Sequence, residues 1–200
     1  DGVSFNHLMI DEGAHLVMPY HIEQDIAENK SQSDGGIGST GKGIGPAYTD
    51  RVARRGIMMR DLFDRATLIG KIERIKKYYP EQQINIDKNI DKIIADLAPV
   101  AQRLKPFIAD TVSFIHEAIK SGKRICIEGA QGFHISSSHG IYPYITSSDC
   151  SVNGTASGVG ISAKAIDLTL GIFKFPIMSK VGGGPFVTEL GGTRSEGYCS

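Results

Sequence analysis

The spacing of apolar residues changes between the two halves of the chain, and this change restricts the possible folds more than any other feature of the sequence. In residues 86–98 and 106–121, apolar side chains recur every three or four positions, which predicts amphipathic helices. Short runs rich in β-branched residues follow at 124–128 and 166–175 and predict strands. This order predicts an α/β protein, with a mostly parallel central sheet flanked by helices and residues 65–121 as a helical subregion.

Prolines and glycines indicate where several elements begin and end. A helix is expected over residues 20–29, and a shorter one between Pro46 and Gly56. Pro99 and Pro106 are expected to interrupt the apolar helices, which predicts two packed helices or a helical hairpin. Further strands are predicted within 7–19, 177–181 and 186–190.

The length and charge of the chain exclude several classes of protein. Its 200 residues suit a single domain, 1–200, and its 22 basic and 22 acidic residues leave no net charge to attract nucleic acid or an anionic membrane. No apolar stretch approaches a membrane span, and the three cysteines are too scattered for a disulfide framework or a zinc site. We therefore expect a cytoplasmic protein with no nucleic acid or membrane partner.

A glycine-rich loop is the first candidate ligand site. Residues 36–42, GIGSTGK, meet the spacing of a Walker A loop. Gly43 stands where that loop needs a magnesium-binding serine or threonine, and the preceding segment is polar, so we reject a triphosphate loop. Closely spaced glycines still let backbone N–H groups converge on an anion, and the hydroxyls of Ser39 and Thr40 add donors.

A basic segment follows this loop. Arg51, Arg54 and Arg55 are spaced to form a cationic stripe on one helix face, and guanidinium groups match phosphate oxygens well. Loop and stripe together predict a monophosphate site. A mobile surface loop beside a solvated basic helix is an equally good interpretation at this point, because both features are common on protein surfaces.

The predicted strand 124–128 ends in a tight turn that presents Gln131. Ligands of open α/β sheets bind beyond the carboxyl ends of strands, and an amide can both donate to and accept from the edge of a purine. Thr146, followed by two serines, adds hydroxyl donors. A simple turn residue and a helix cap are the alternative interpretations, and both stay open here.

Other polar and aromatic side chains are assigned structural roles. His134 and His139 lack further metal ligands, so no metal site is predicted. Tyr142 and Tyr144 are expected in the core, and Cys126 is expected to face the interior of a strand as an inert apolar group.

Three long segments together resemble the adenylosuccinate synthetase family. They are IGSTGKGIGPAYTDRVARRGIMMRDLFD (37–64), EGAQGFHISSSHGIYPYITSS (128–148) and KVGGGPFVTEL (180–190), in the family's order. The resemblance extends over essentially the whole chain, although residues 65–121 match the family only in their helical character and not in specific motifs. It implies a ligase of AMP biosynthesis that joins L-aspartate to IMP with GTP and Mg²⁺, through a 6-phosphoryl intermediate.

The resemblance implies roles for matching residues. Ser39 and Thr40 would hold the 5′-phosphate of IMP, and Thr146 would be a second phosphate contact. Gln131 would hydrogen-bond the base near O6 and N1, and it would stabilise the 6-oxyanion as the catalytic group of this chain.

Two further features of the IMP site are implied by the same resemblance. Arg54 would reach the IMP site of a neighbouring subunit, which implies a homodimer. The backbone at Val181 and Gly182 would run along the ribose. Lys180 stands where the family usually has arginine, so contacts to the ribose could differ.

Several parts of the family pattern have no counterpart in this sequence. These are the GDEGKGK phosphate loop, the segment with the catalytic histidine, the aspartate-binding loop and the guanine-reading TKxD motif. The Mg²⁺ ligands and most of the GTP site therefore have no position here. We expect a central portion of the enzyme that is inactive alone. The alternatives are a dGMP-specific relative and a non-catalytic nucleotide-binding or assembly module.

Overall fold

The fold is seen in a computed structural model that describes residues 5–31, 38–79, 83–174 and 180–186. Its helices and strands are β1 (Ile10–Asp11), α1 (Pro19–Ser31), α2 (Ile44–Val52), α3 (Arg65–Lys76), α4 (Gln83–Leu104), β2 (Ile108–Ala109), α5 (Thr111–Lys120) and α6 (Val152–Gly158). The predicted α/β class, with a parallel sheet and a helical subregion, is confirmed. In the described ranges the sheet contains two strands, β1 and β2, which pair in parallel with Ile10 opposite Ile108.

The chain divides into two compact units, and each unit is built from two separate stretches. Unit 1 consists of Asp1–Asp25 and Gly43–Ile125, and unit 2 consists of Ile26–Lys42 and Cys126–Ser200. The boundary falls inside α1. A single domain over 1–200 stays a prediction.

The apolar core of unit 1 forms because α3 presents one continuous apolar face. Leu68, Ile72 and Ile75 follow one another at helical spacing, and all three are buried. Asp64 caps this helix, since its side chain accepts hydrogen bonds from the backbone N–H groups of the first turn. The same cluster is completed by Met18, Tyr20, Ile57 and Ile93.

The helix α4 continues through Pro99, so the predicted interruption there is wrong. A proline in a helix interior costs roughly 3 kcal/mol. Ile93 and Ala101, on either side of it in sequence, are both buried, and their packing offsets this cost. Pro106 does lie in a break, a 3₁₀ turn over Lys105–Phe107.

The predicted helix over 106–121 begins later than its apolar pattern suggests. Ile108 belongs to β2, and α5 starts at Thr111 with Asp110 as its cap. The Asp110 side chain accepts from the Ser113 backbone N–H at 2.9 Å. Pairing with β1 therefore takes Ile108, an apolar residue of the run, away from the helix.

The predicted strands 124–128 and 166–174 are wrong for the part of the chain that is described. Both stretches lie outside any sheet and are largely exposed, with Leu170 at 76% and Ile172 at 94% exposure. A strand forms only beside a hydrogen-bonding neighbour, and no described segment pairs with them. The strand predicted over 186–190 lies outside the described residues from 187 onward, as does 177–181 up to residue 179.

Within the described ranges, no helix combines the length and the apolar character that a bilayer span requires.

Candidate functional site

Two glycine-rich segments approach each other backbone to backbone in unit 2. Gly38 has φ +68°, and a Cβ atom placed on it would lie 2.9 Å from the backbone nitrogen of Gly183. A Cβ contact under 3.0 Å is not tolerated without movement of the backbone. The loop that carries Ser39 and Thr40 therefore packs directly on the segment that carries Gly182.

A third segment, around Tyr144, packs on the same glycine run. A Cβ atom on Gly184 would lie 2.1 Å from the Tyr144 ring. The Lys180 ammonium lies 5.4 Å from the centre of that ring and donates to the Gly183 carbonyl at 2.5 Å. All three segments that carry predicted IMP contacts within unit 2 are thereby brought together.

The polar end of α1 holds Ser39 in place. The Ser39 backbone N–H donates to Asn29 Oδ1 at 3.1 Å, and the Asn29 side-chain amide donates to Ser39 Oγ. The same Oγ accepts from the Gly41 backbone N–H at 3.2 Å. The Ser39 hydroxyl oxygen therefore accepts two hydrogen bonds that fix its position, while Thr40 beside it is exposed.

The segment from Gln131 to Ser151 is ordered by its own hydrogen bonds. The Thr146 backbone N–H donates to the Ile135 carbonyl at 2.7 Å, and buried Ser136 donates to Asp149 Oδ1 at 3.0 Å. The Ser151 backbone N–H and the hydroxyls of Ser151 and Ser136 lower the pKa of Asp149. This network fixes the backbone on which Thr146 is carried.

Gln131 and Arg54 are the two non-glycine residues with positive φ in the described part of the chain. Their φ values are 70° and 61°. The left-handed conformation costs an ordinary residue roughly 1–2 kcal/mol, and such strain is concentrated at functional sites. Both residues were assigned to the IMP site from the sequence.

Arg54 lies in unit 1, whereas the other six predicted IMP residues lie in unit 2. The predicted stripe on one helix face is wrong, because α2 ends at Val52 and Arg54 follows in a left-handed turn. The Arg54 backbone N–H donates to the Arg51 carbonyl at 3.0 Å, which closes the helix. Arg51, Arg54 and Arg55 instead line one pocket of unit 1.

The structure gives a physical reason why Gly43 is not a serine or threonine. Its φ is +76°, and a Cβ atom would lie 2.8 Å from the Ile22 backbone nitrogen. Its own N–H donates to buried Asp25 Oδ2 at 2.8 Å. A glycine is thus required for packing on α1 at the position where a triphosphate loop needs a hydroxyl.

A buried network around Asp50 was not predicted from the sequence. Asp50 Oδ1 accepts from Arg55 Nε at 2.7 Å and from the Tyr79 hydroxyl at 2.6 Å, and Oδ2 accepts from His21 Nε2 at 3.0 Å. The Met18 backbone N–H donates to His21 Nδ1, so the proton of neutral His21 is on Nε2. The partners are up to 29 residues apart, and no sequence pattern links them.

This network keeps Asp50 ionised. Burial alone would raise the pKa of Asp50, but the hydrogen bonds from His21, Tyr79 and Arg55 outweigh burial, so the pKa is lowered. Asp50, on α2, therefore links this helix to His21 on α1 and to Tyr79, which follows α3. It therefore supports the turn that carries Arg54 rather than reacting itself.

Two structural assignments from the sequence need correction. Tyr142 is 82% exposed and is not a core residue, and Cys126 is exposed rather than facing a strand interior. Both errors follow from the unformed strand at 124–128 and the turn-rich chain after it. His139 stacks on Phe133 with ring centres 4.9 Å apart, in keeping with a structural role.

Comparison with known proteins gives one consistent result. A family model described as adenylosuccinate synthetase matches residues 1–198. The adenylosuccinate synthetase of Mannheimia succiniciproducens is 42% identical over 187 residues, which cover 92% of this chain and 43% of that protein. That of Halothermothrix orenii is 41% identical over 197 residues, covering 95% and 45%.

A solved structure agrees with these relatives. The fully ligated adenylosuccinate synthetase from Plasmodium falciparum superposes with a TM-score of 0.83 at 29% identity, over 97% of this chain and 47% of that one. The chain thus spans less than half the length of the relatives it matches. Because the family model extends over nearly every residue, the chain belongs to the adenylosuccinate synthetase family.

Proposed function

We propose that unit 2 binds the phosphate and ribose of IMP. The observation that carries this proposal is the close packing of the Gly38 loop on Gly182 and Gly183. Backbone N–H groups in such glycine-rich bends bind anions, and the exposed Thr40 hydroxyl adds a donor beside them. Ser39 and Thr146 complete the phosphate contacts, and the backbone of Val181 follows the ribose.

Gln131 binds the base of the same nucleotide in this proposal. Its side chain is exposed, and its backbone keeps a left-handed conformation that a glycine would adopt with less strain. An amide fixed in this way donates toward the 6-oxygen as negative charge develops there, and a preorganised donor stabilises that charge. Gln131 is therefore the proposed catalytic group of this chain.

Arg54 serves the IMP phosphate of a neighbouring subunit in a homodimer. Arg54 belongs to unit 1, whereas the other predicted contacts belong to unit 2. Its guanidinium is exposed and makes no ion pair with any carboxylate in the described ranges. A free guanidinium of this kind matches a phosphate dianion.

The reaction proposed for the complete enzyme is the GTP-dependent ligation of L-aspartate to IMP, which yields adenylosuccinate. The matched relatives are more than twice as long as the matched segment, so these 200 residues supply the IMP part and do not catalyse alone. In the described residues, no three His, Cys, Asp or Glu side chains are grouped to hold a metal ion. No step of the proposal is therefore assigned to Mg²⁺.

Calorimetric titration of IMP into the purified chain tests the proposal. We expect Thr40→Ala and Gln131→Leu each to weaken IMP binding by about tenfold, the effect of losing one good polar contact. Thr67→Ala, an exposed threonine of unit 1, is the matched control and should leave affinity unchanged. Equal affinities for all four proteins would reject the site.

The choice of nucleotide is tested in the same instrument. IMP is expected to bind more tightly than dGMP, because the runs GKGIGPAY (41–48) and IYPYITSS (141–148) resemble the standard enzyme more than the dGMP-specific relative. Tighter binding of dGMP would instead assign the chain to the dGMP-specific relative.

A further inference from the structure

The guanidinium group next to Arg54 in the chain, that of Arg55, is enclosed by other side chains. The Arg55 Nε–H donates to Asp50 Oδ1 at 2.7 Å, and a terminal NH₂ group of Arg55 donates to the Tyr79 hydroxyl at 2.8 Å. The same guanidinium lies 4.7 Å from the centre of the Tyr78 ring and 5.0 Å from that of Tyr79. Hydrogen bonds and aromatic contacts together therefore fix the Arg55 side chain, which is only 15% exposed.

The backbone of the turn after α2 is restrained as well. The backbone N–H groups of Arg55 and Gly56 both donate to the Asp50 carbonyl, at 3.0 and 3.1 Å. Gly56 lies against the His15 ring, since a Cβ atom on Gly56 would lie 2.8 Å from His15 Cε1. Arg54 directly precedes these two residues, with φ 61° and an exposed side chain. The restraints thus act on the residues after Arg54 and leave its guanidinium exposed.

Tyr79 links this turn to the apolar core of unit 1. Its hydroxyl donates to Asp50 Oδ1 at 2.6 Å and accepts from Arg55 at 2.8 Å. Tyr79 follows α3, and it packs against the core cluster to which the apolar face of that helix belongs. Hydrogen bonds in which one partner is ionised are stronger than neutral ones. One hydroxyl, anchored on the core, therefore fixes both the Asp50 carboxylate and the Arg55 guanidinium.

The Tyr79 hydroxyl is fully used within this network. Burial raises the pKa of Tyr79, and the hydrogen bond to Asp50 raises it further, against the lowering effect of the hydrogen bond from Arg55. The hydroxyl therefore stays protonated at neutral pH and keeps donating to Asp50. Because its proton and an acceptor position are both engaged, Tyr79 acts on its neighbours rather than on a ligand.

We propose that Tyr79 is a positioning residue for Arg54. By holding the Arg55 guanidinium, Tyr79 keeps the adjoining left-handed turn in the conformation that presents Arg54 to the IMP phosphate of a neighbouring subunit. A side chain whose backbone is already ordered loses less conformational freedom on binding, so affinity is gained without a further contact. This inference deepens the proposed function and rests on the role proposed there for Arg54.

A double-mutant cycle in IMP binding tests this role. Calorimetric titrations compare the original chain with Tyr79→Phe, Arg54→Leu and the variant that has both changes, at one chain concentration. Tyr79→Phe keeps the ring and removes only the hydroxyl, and we expect it to weaken IMP binding by about fivefold. In the Arg54→Leu background the same change should have no further effect, because the residue on which it acts is gone.

Tyr20→Phe is the matched control for the loss of a hydroxyl. Tyr20 is buried in the same unit, and its hydroxyl has no hydrogen-bond partner among the described residues. This variant should bind IMP as the original chain does. A loss of affinity as large as that of Tyr79→Phe would show that the effect is not specific to the network, and it would reject the inference.

A second measurement follows the order of the turn without a ligand. Heteronuclear ¹⁵N NOE values report backbone motion on the picosecond to nanosecond scale. In the free chain, Tyr79→Phe should lower the value of the Arg54 amide and leave that of Leu68, in the core, unchanged. An unchanged value at Arg54, or an equal fall at both amides, would overturn the inference.

The binding data also separate this inference from the proposed function. If Arg54→Leu binds IMP as tightly as the original chain, the role of Arg54 is wrong and the inference is rejected with it. If Arg54→Leu binds more weakly, but Tyr79→Phe has no effect or the same effect in both backgrounds, the role of Arg54 stands and only the inference is wrong.

Discussion

Gly38 and Gly183 approach so closely that a methyl group on Gly38 would lie 2.9 Å from the Gly183 backbone nitrogen. This contact joins the loop of Thr40 to the segment of Gly182, and the proposed IMP site depends on it. Any side chain on Gly38 would also occupy a left-handed conformation that favours glycine.

Gly38→Ala is therefore expected to weaken IMP binding more than the replacement of any exposed side chain of unit 2. The methyl group forces the two segments apart, and we expect a loss of about 1–3 kcal/mol of stability from strain and displacement. Gly158→Ala is the matched control, because a Cβ atom there meets nothing within 4 Å. Calorimetry and thermal unfolding of both variants measure the difference, and identical behaviour would contradict the packing argument.

Gln131→Gly should stabilise the protein while it weakens IMP binding. Glycine relieves the left-handed strain at φ 70°, so we expect a gain of about 1 kcal/mol. Loss of the amide should weaken IMP binding by roughly tenfold. The control is Gln102→Gly in α4, which should lose about 1 kcal/mol because glycine disfavours helices. A Gln131→Gly protein that is less stable, or that binds IMP normally, would count against a strained functional residue.

Gly43→Ser completes the Walker A spacing but should not create triphosphate binding. Its Cβ atom would lie 2.8 Å from the Ile22 backbone, so we expect the free energy of unfolding to fall by about 3 kcal/mol. Gly41→Ser has a similar positive φ but no contact closer than 3.4 Å, and it should cost less, about 1 kcal/mol. Denaturant unfolding and GTP titration provide the measurements, and a gain of GTP affinity in Gly43→Ser would overturn the rejection of that motif.

Asp50→Asn should reduce stability in a pH-dependent way. The lowered pKa of Asp50 means that its stabilising effect is complete above about pH 4, the value for an unfolded aspartate. We expect a loss of about 3 kcal/mol at neutral pH, because the partly buried Arg55 would lose its charged partner.

The difference between Asp50→Asn and the original chain should shrink as the pH falls from about 4 through the lowered pKa of Asp50, since the folded carboxylate is protonated only below that pKa. Asp91→Asn is the control, since Asp91 is 92% exposed and its contact with Arg65 is a surface ion pair. Thermal unfolding between pH 3 and pH 7 measures both effects. A constant difference at every pH would show that Asp50 is not the titrating group.

The exposed apolar stretch at 166–174 should promote self-association. Leu170 and Ile172 are exposed at alternate positions of a segment that pairs with no described strand, and exposed apolar residues with unpaired backbone favour association between chains. Replacing both with lysine should lower the apparent mass in light scattering. Val100→Lys, an exposed apolar residue of the helix α4, should not change it. Equal association of all three proteins would reject this interpretation.

Local patterns predicted the elements that depend on local interactions. The helical subregion predicted from residue 65 begins with α3 at Arg65, and α2 begins at Ile44, close to the start predicted at Pro46. The residues of the candidate site came from recognisable segments rather than from spacing. The packing of the Gly38 loop on the glycine run at 182–184 could not be derived locally, because Gly38 and Gly183 are more than 140 positions apart.

The predictions that failed concern interactions between residues that are far apart in the sequence. The strand at 124–128 has the right composition, but a strand needs a neighbour and the described chain offers none. Pro99 was expected to interrupt a helix, but α4 continues through it because Ile93 and Ala101, on either side, are buried. The Asp50 network joins residues from separate elements, so no periodic pattern could indicate it.

The central claim is that the Thr40 loop, the turn at Gln131 and the backbone at Gly182 bind one mononucleotide. Titration of IMP into the ¹⁵N-labelled chain, followed by amide NMR shifts, tests it most directly. We predict that the amides of Thr40, Gln131 and Gly182 shift together and yield a single dissociation constant. Shifts at only one of these positions, or a different constant for each, would contradict the claim.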